Sequence, residues 1–389
     1  MHITVVGGGG HVGLPLSIAL ADASAETKVS IYDINEKVVE SINSGKMPFL
    51  ENGADEKLKK TVGKNLIATT NRTSIQEADI VIVVIGTPVD EFLNPLYGAF
   101  ESFLNETSSF FKKGQTIILR STVFPGTSEK VSAFFNQKGL NVDVAFCPER
   151  IAEGKAMEEL YTLPQIISGF SKKAIDDAKK VFNLLTNELI EVTPREAELA
   201  KLFCNSWRYI QFATANQYYM LAENMGADFY KIYNAMTYKY PRTQSFPKAG
   251  FAAGPCLFKD TMQLSAYSGN QYFLGHSAML INEGLPLFIV QQLEKRMDLS
   301  NKNVGILGMA FKAESDDNRA SLSYKLKKAL ELKARQVLCT DEFIQAPNFV
   351  SLDQCIEKSD ILILAAPHKA YKKIQTDKEI VDVWNFFGK

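Results

Sequence analysis

The sequence predicts an α/β protein with two doubly wound domains joined by a long central helix and a helical middle domain. Short apolar runs alternate with longer amphipathic segments before Thr193, and the segment from Arg195 to Gly226 has neither proline nor interior glycine. Strand-like runs then return at Asn303. We therefore expect three domains, at residues 1–193, 194–299 and 300–389.

The first domain is predicted from its apolar runs. Most are nearly continuous Val and Ile rather than alternating, which is typical of parallel strands covered by helices on both faces. The runs are HITVVG, KVSIYD, DIVIVVIGTP, QTIILRST, VDVAFCPE, PQIISG and ELIEV. Strands of this kind separated by helical segments predict a doubly wound sheet.

The middle domain opens on Thr193-Pro194, a good capping and first-turn pair, and its long helix is predicted to end near Gly226. More helical sequence follows to about Leu299, interrupted by a stretch rich in proline and glycine at 241–255. The smaller C-terminal α/β domain is predicted from the runs NVGILGMAF, RQVLCTD, DILILAAP and EIVDVW.

Composition argues against several kinds of partner. The 389-residue chain has a net charge of −1, which gives no reason to expect nucleic acid or an anionic membrane surface. No apolar run reaches about 18 residues, so we predict no transmembrane helix. The N-terminus lacks the features of a signal peptide, so we expect a cytoplasmic protein. The five cysteines and four histidines are scattered, so we expect neither disulfides nor a metal site.

The stretch VVGGGGHVG follows the first strand and opens a helix, as a dinucleotide-binding turn does. Gly8, Gly10 and Gly13 fit the spacing G-x-G-x-x-G, with His11 and Val12 between the last two, although Gly7 leaves the register open by one residue. Asp33 ends the second strand, where a carboxylate would bind ribose hydroxyls and disfavour a 2′-phosphate. These residues predict a Rossmann-like site for NAD; a glycine-rich turn without a ligand is the alternative.

Two further groups of polar residues are candidates for a site. Lys201 and Asn205 share one face of the long helix, and Arg208 continues it, although such a stripe is also typical of a solvated face. Small polar side chains also follow three predicted strands, where open α/β sheets bind ligands. Each could serve only as a turn or cap, but together they indicate a site; they are Thr87, Thr122, Glu149 and Glu153.

With these motifs the chain resembles the nucleotide-sugar dehydrogenases, the UDP-glucose and UDP-N-acetylmannosamine dehydrogenase family. The resemblance runs nearly end to end and follows the family's motif order: DINEKVVESINSGKMPFLENG, IGTPVDE, STVFPGT, CPERIAEGKA, ELAKLFCNSWRYIQFATAN, AGPCLFKD and LGMAFKAESDDNRASLSYKL. It implies oxidation of a sugar C6 alcohol to a carboxylate with two NAD⁺, through a thiohemiacetal and a thioester on one cysteine. It also implies two Rossmann-like domains and a homodimer formed by the helical middle.

The resemblance also implies residue roles. Cys256 matches the nucleophile, Lys201 and Asn205 the oxyanion contacts, and Glu149 the base for thioester hydrolysis. Asp260 and Thr122 match residues that position water. Contacts to the cofactor and substrate complete the set: Glu153 and Arg319 for NAD, Phe311 and Lys312 for the sugar nucleotide, and Arg242 reaching the neighbouring subunit's substrate.

The chemistry agrees with these assignments. Two hydride transfers from one carbon require the aldehyde to be held between them, and a thiolate can hold it covalently. A neighbouring ammonium would favour the thiolate and offset the developing negative charge. The alternative for Cys256, a small buried hydrophobic residue, fits this set of residues poorly.

Several positions depart from the family pattern. The loop GFAAGPC is one residue longer than the usual G-x-G-G-x-C and carries Ala252 and Ala253. Phe258 replaces a frequent proline, Gln217 a common glutamate, and the C-terminal domain is short. His368 could face the substrate, but we expect it in a surface loop.

The sugar is suggested by two arginines. Arg150 in PER and Arg208 on the helix favour a UDP-N-acetylhexosamine such as UDP-N-acetylmannosamine, with UDP-glucose as the alternative and GDP-mannose third. Two other classes stay open: a β-hydroxyacid dehydrogenase, which would use the lysine and asparagine without a cysteine, and a non-catalytic sugar-nucleotide binding protein.

Overall fold

A computed structural model describes residues 1–87, 89–90 and 98–388 of the chain. They form two compact units, Met1–Phe203 and Cys204–Lys389, each described separately below. Pro88 and Glu91 of the motif IGTPVDE lie outside the described residues.

The first unit contains a six-stranded parallel sheet with the strand order β3-β2-β1-β4-β5-β6, and a two-stranded parallel sheet β7-β8. The six-stranded order reverses between β1 and β4, the point at which doubly wound sheets bind dinucleotides. The strands are β1 (His2–Val6), β2 (Lys28–Tyr32), β3 (Leu66–Thr69), β4 (Ile80–Val83), β5 (Thr116–Leu119), β6 (Asp143–Phe146), β7 (Gln165–Ile167) and β8 (Leu189–Glu191).

Helices cover both faces of this sheet, and an apolar core lies on each face. Strands β1 and β4 are almost wholly buried, which explains their unbroken Val and Ile runs. The helices are α1 (Gly13–Ala23), α2 (Glu36–Asn43), α3 (Ala54–Thr61), α4 (Thr73–Glu77), α5 (Gly98–Thr107), α6 (Thr127–Gln137), α7 (Ala156–Thr162) and α8 (Lys172–Phe182).

The long helix α9 (Pro194–Asn224) is confirmed at both ends. Thr193 and Glu196 form a capping box, in which the Thr193 amide donates to Glu196 (2.8 Å) and the Glu196 amide to the Thr193 hydroxyl (3.4 Å). Gly226 has a left-handed φ of 68° just beyond the last turn, as expected of a helix stop. The division between the two units falls within this helix.

The second unit has a helical part and a four-stranded parallel sheet of order β10-β9-β11-β12. The helices are α10 (Phe229–Thr237), α11 (Leu257–Tyr267), α12 (Phe273–Arg296), α13 (Leu322–Glu331) and α14 (Leu352–Lys358). The strands are β9 (Asn303–Leu307), β10 (Gln336–Thr340), β11 (Ile361–Leu364) and β12 (Ile380–Val381).

By length and composition alone, α12 is the one helix among the described residues that could cross a membrane. No such helix was predicted, because no apolar run of the sequence reaches about 18 residues. Core helices of soluble proteins meet the same criterion, so the observation is weak evidence for a span.

The start of β5 is tied to α8 by a charged cluster around Asp177. The Asp177 carboxylate accepts from Thr116 (2.6 Å), Lys173 (2.6 Å) and Lys180 (2.8 Å). Burial opposes ionisation of this carboxyl, but the hydrogen bonds from the two lysines and the threonine outweigh it and lower the pKa of Asp177 to about 2.

We expect Asp177→Asn to lower the free energy of unfolding by about 1–3 kcal/mol at pH 7, because hydrogen bonds to an ionised group are lost. The lowered pKa means that this stability is present above the ordinary Asp range near pH 4 and is lost as the pH falls toward 2. Urea unfolding of both proteins at pH 7 and pH 2.5 tests this. A difference that does not shrink in acid would contradict it.

Candidate active site

The glycine-rich turn after β1 is sterically required. A Cβ on Gly13 would lie 2.5 Å from the Cα of Gly8, and one on Gly8 would lie 2.7 Å from the Val5 carbonyl oxygen. Gly10, in contrast, is exposed, and its nearest neighbour would be the Gly7 oxygen at 3.9 Å. The outer glycines thus allow helix and strand to pack closely, and the middle one leaves room for a phosphate to approach the backbone.

Asp33 lies beside this turn. Its carboxylate accepts from the amide of Gly9 (2.9 Å) and from the amide of Asn35 (3.0 Å), so its position is fixed at the end of β2. The side chain is half-buried. A carboxylate placed next to a phosphate-binding turn suits the ribose hydroxyls of NAD.

His11 and Glu153 come together in the first unit. A His11 ring nitrogen and a Glu153 carboxylate oxygen lie within 4.8 Å of each other, and the His11 ring packs against the Phe49 ring at a tilt of 34°, with centroids 4.0 Å apart. Val12 is the residue before α1 and is half-buried. The structure thus gathers all of the cofactor residues predicted in this unit near the glycine-rich turn or at strand exits.

The loop that carries Glu153 is held by Glu51, a residue that the sequence reasoning missed. Glu51 is buried and accepts from the amides of Gly154 and Ala156, both at 2.8 Å. Gly154 has a left-handed φ of 80°. In the sequence, Glu51 is visible only as the glutamate of PFLENG. Nothing there indicates that it contacts a loop about a hundred residues further along the chain.

The loops that follow β4 and β5 are joined by a hydrogen bond between Thr87 and Thr122. The Thr87 hydroxyl donates to the Thr122 carbonyl oxygen at 2.5 Å. The loop after Thr122 is fixed by Glu198 on α9, which is buried and accepts from Gly126 (2.6 Å) and Ser128 (2.8 Å). Glu198 therefore caps α6 and attaches the long helix one turn before Lys201.

Glu149 and Lys201 form a buried pair of opposite charge in the first unit. Both side chains are buried, and the Lys201 Nζ lies 4.0 Å from the Glu149 Oε2. The amide of Ile151 donates to the other oxygen of Glu149. Arg150 donates to the carbonyl of Pro164 at the start of β7. A carboxylate and an ammonium held this way can handle a proton and a negative charge side by side.

Arg120 interacts electrostatically with Glu149 and was not predicted. Its guanidinium is fully buried and donates to the Cys147 carbonyl (3.2 Å) and to Gln165 (3.0 Å). Burial lowers the pKa of Arg120, while the charge of Glu149 opposes that change. Arg120 therefore places a buried positive charge in the surroundings of Glu149.

In the second unit, Asn205, Asp260 and Lys259 form a connected group. Asp260 is fully buried; it accepts from Asn205 Nδ2 at 2.6 Å and is paired with Lys259 at 2.6 Å. Two predicted site residues are thus in direct contact. Lys259, the neighbour in sequence, supplies a counter-charge to this buried carboxylate.

Cys256 differs from the protein's buried cysteines. All five cysteines lie among the described residues and none is in a disulfide. Burial raises the pKa of Cys147 and Cys339 to about 12 and that of Cys355 to about 11, so these are inert core thiols. Cys256 is exposed and directly precedes α11. Cys204, on α9, is the other exposed thiol.

The loop 250–255 leads to Cys256 and packs on Phe311. Gly254 has a φ of 102°, and a Cβ there would lie 2.5 Å from the Phe311 ring. Lys312 Nζ lies 5.4 Å from the centre of the same ring. The predicted sugar-nucleotide residues of the C-terminal domain are thus next to the cysteine loop.

Three arginines were predicted to contact the cofactor or the substrate, and they lie in different surroundings. Arg319 is held by Asp317, with its Nε 2.9 Å from both carboxylate oxygens. Arg242 donates to the Tyr240 hydroxyl at 3.0 Å, and Arg208 is exposed on α9.

The expectation for His368 is wrong. It is fully buried rather than in a surface loop, because its Nε2 lies 3.2 Å from Asp341 and its Nδ1 accepts from the amide of Glu314 at 3.0 Å. Asp341 also accepts from Ala310, the residue before Phe311 (3.0 Å). The pair therefore holds the loop that carries Phe311 and Lys312.

The strand order and the glycine-rich turn with its acid define a dinucleotide-binding protein, and its dehydrogenase family follows from comparison. Three domains of the UDP-glucose/GDP-mannose dehydrogenase family match in order: the NAD binding domain at 1–186, the central domain at 195–283 and the UDP binding domain at 305–389. The chain belongs to this family, and is an NAD-dependent nucleotide-sugar dehydrogenase.

Individual relatives agree with this assignment. The UDP-N-acetyl-D-mannosamine dehydrogenase of Pyrococcus horikoshii is 27% identical over 401 residues, covering 100% of this chain and 93% of the relative. That of Campylobacter jejuni is 28% identical over 398 residues, covering 95% and 96%.

Solved structures confirm the predicted fold. A UDP-D-ManNAc dehydrogenase from Pyrococcus horikoshii superposes with a TM-score of 0.89 at 28% identity, covering 96% of this chain and 91% of that one. A UDP-glucose dehydrogenase from Pyrobaculum islandicum has the same TM-score of 0.89 at 24% identity, covering 98% and 94%; at that identity it supports the fold alone.

Proposed function

We propose that the protein oxidises the C6 alcohol of a UDP-N-acetylhexosamine, such as UDP-N-acetylmannosamine, to the uronic acid by a covalent mechanism on Cys256. The observation that carries the proposal is the exposed Cys256 thiol at the start of α11, four residues from the buried Asp260 that Asn205 contacts. The names of the relatives from Pyrococcus and Campylobacter support the choice of sugar.

The cofactor fits the residues of the first unit. Gly10 leaves the backbone open to a pyrophosphate. Asp33, beside the turn, is the proposed partner of the ribose hydroxyls. The turn itself is formed by Gly8, His11, Val12 and Gly13. Thr87, Thr122 and Glu153 are further cofactor contacts in this proposal, together with Arg319. When bound, NAD⁺ accepts a hydride from the sugar carbon, and two equivalents account for the four electrons removed.

The chain's own residues then perform the remaining chemistry. The Cys256 thiolate adds to the C6 aldehyde and forms a thiohemiacetal, whose oxyanion Lys201 and Asn205 stabilise. Loss of a second hydride converts the thiohemiacetal to a thioester. Water, positioned by Asp260 and Thr122, gives its proton to Glu149 and attacks the thioester carbon. The C–S bond breaks, and the uronic acid and the Cys256 thiolate are released.

Substrate recognition is assigned to both units. Arg150, Arg208, Phe311 and Lys312 are proposed contacts to the sugar nucleotide, with Arg242 supplied by a second subunit. A cytoplasmic location and a role in polysaccharide biosynthesis are part of the proposal, because a UDP-linked uronic acid is an activated unit for polymer synthesis.

The stoichiometry of NADH tests the reaction. We expect two NADH for each UDP-N-acetylmannosamine consumed, with lower kcat/KM for UDP-glucose and GDP-mannose. One NADH per substrate would indicate the two-electron chemistry of a β-hydroxyacid dehydrogenase. NAD binding without turnover on any sugar of the panel would indicate a sugar-nucleotide binding protein.

The proposal includes a homodimer formed by the helical middle. Large apolar side chains on α9 are exposed, among them Phe203 (54%), Trp207 (60%), Tyr218 (43%) and Leu221 (50%). An exposed patch of this kind is unusual on a monomer, and a two-fold pairing would cover it. A guanidinium from the partner, that of Arg242, could then bind the substrate phosphates bidentately.

We expect light scattering to report a dimer or a multiple of one. Arg242→Ala and Cys256→Ser proteins should each be inactive, and mixing them under conditions that exchange subunits should restore activity, because one hybrid site keeps both residues. The matched control pairs Cys256→Ser with itself and should stay inactive. A fully active monomer would contradict both the dimer and the shared site.

A further inference from the structure

Two buried asparagines connect three segments of the second unit. Asn216 on α9 and Asn282 on α12 are both fully buried, and the Asn216 Nδ2 donates to the Asn282 Oδ1 at 2.8 Å. The Asn282 Nδ2 in turn donates to the carbonyl of Tyr209 at 3.0 Å. The two carboxamides therefore form a short relay with a fixed direction of hydrogen bonding.

The relay ends on the backbone of Gly250, at the start of the loop that leads to Cys256. The Gly250 amide donates to the Asn216 Oδ1 (2.8 Å), and the Asn216 Nδ2 donates to the Gly250 carbonyl (3.0 Å). One carboxamide thus satisfies both polar groups of a buried residue, as a neighbouring strand would. A Cβ on Gly250 would lie 2.3 Å from the Trp384 ring, so a larger residue does not fit here.

A second amide of the same helix holds the other side of Cys256. Asn205 donates to Asp260 at 2.6 Å, four residues after the cysteine. Asn205 and Asn216 are on α9, about 16 Å apart along a helix that rises 1.5 Å per residue. The segment containing Cys256 is therefore attached to one rigid helix on both sides.

We infer that Asn216 and Asn282 are positioning residues that hold the loop 250–255, and through it Cys256, in the geometry needed for attack on the aldehyde. The inference rests on the proposed function, in which Cys256 is the nucleophile. A position error of about 1 Å at a reacting group can cost up to about a hundredfold in rate. A relay that only stabilised the fold would instead change unfolding and leave turnover per folded molecule intact.

Isosteric substitutions separate these cases. Asn216→Asp still accepts from the Gly250 amide but cannot donate to the Gly250 carbonyl or to Asn282. Its carboxylate oxygen would instead face the carbonyl oxygen of Gly250 and the Oδ1 of Asn282, both of which are acceptors. Asn282→Asp still accepts from Asn216 and loses only the bond to Tyr209. Asn234→Asp, at an exposed position on α10, is the matched control.

The full-length variants are compared by kcat and KM per folded enzyme, by thermal unfolding, and by the rate at which iodoacetamide alkylates Cys256, followed by peptide mass. We expect kcat to fall about ten- to a hundredfold in Asn216→Asp and less in Asn282→Asp. KM for NAD should stay unchanged. The alkylation rate should change in the same order, and Asn234→Asp should match the wild type.

A folded Asn216→Asp protein with wild-type kcat and alkylation rate overturns the inference, as does a lower Tm with unchanged kcat. If Asn216→Asp does not fold, Asn282→Asp is judged by the same criteria. Failure of the proposed function is recognised separately, because the wild type would then produce no uronic acid from any UDP-sugar. The alkylation rates would still test the positioning of Cys256.

Discussion

Cys256→Ser is expected to reduce formation of the uronic acid by on the order of a thousandfold or more, as removal of a catalytic nucleophile does in other enzymes. A serine hydroxyl is almost wholly protonated near neutral pH, so it captures the aldehyde far more slowly than a thiolate does. Cys256 is not among the residues proposed to bind NAD, most of which lie in the first unit around Gly8 and Asp33, so binding of NAD should be unchanged. NADH release and uronic acid are measured together, with NAD affinity by calorimetry.

Cys204→Ser is the matched control for this substitution. Cys204 is the other exposed thiol, and it lies on α9 next to Asn205. We expect this variant to keep full activity and iodoacetamide to inactivate it as fast as the wild type. A Cys256→Ser enzyme that still makes the uronic acid near the wild-type rate would rule out the covalent mechanism.

The repeating elements of the fold were predictable from the sequence because their causes are local. Buried parallel strands require unbroken apolar runs, and each run that was predicted corresponds to a strand. The long helix is marked by Thr193-Pro194 at its start and Gly226 near its end. Among the described residues, β3 is the strand that was not predicted; its second residue, Ile67, is exposed, so it lacks an unbroken buried run.

The supports of the candidate site were not predictable, because they are side-chain contacts to distant backbone amides. Glu51 holds residues 154 and 156, and Glu198 holds residues 126 and 128. A buried glutamate of this kind has the same sequence signature as an exposed one. His368 was misplaced for the same reason, since its partner Asp341 is 27 residues away.

The predicted site residues themselves were found by motif, and the structure adds pairings for some of them. Asn205 with Asp260, Glu149 with Lys201, and Thr87 with Thr122 are in contact or close to it. Their residue types are the ones that thioester chemistry needs, but only the fold shows that each pair has been brought together. Their catalytic roles stay predictions, and Glu149→Gln tests the role of Glu149.

Glu149→Gln is expected to stop the reaction after the thioester has formed. Both hydride transfers precede hydrolysis, and only hydrolysis needs a base that activates water. The carboxylate is buried, and Lys201 lies 4.0 Å away, so glutamine keeps the shape of the site while removing the group that accepts the proton. We expect steady-state turnover to fall about a hundred- to ten-thousandfold, the range typical of a general base.

Rapid mixing with substrate and NAD⁺ distinguishes this from a general loss of activity. The Glu149→Gln enzyme should release a burst of two NADH per active site and then stop, and intact-protein mass should show an adduct of the sugar acyl group on Cys256. Glu158→Gln, at an exposed position on α7, is the control and should turn over normally without an adduct. A burst of one NADH would place Glu149 in the second hydride transfer instead. Steady turnover with no adduct would remove it from the role of base, because a thioester that forms faster than it is hydrolysed must accumulate.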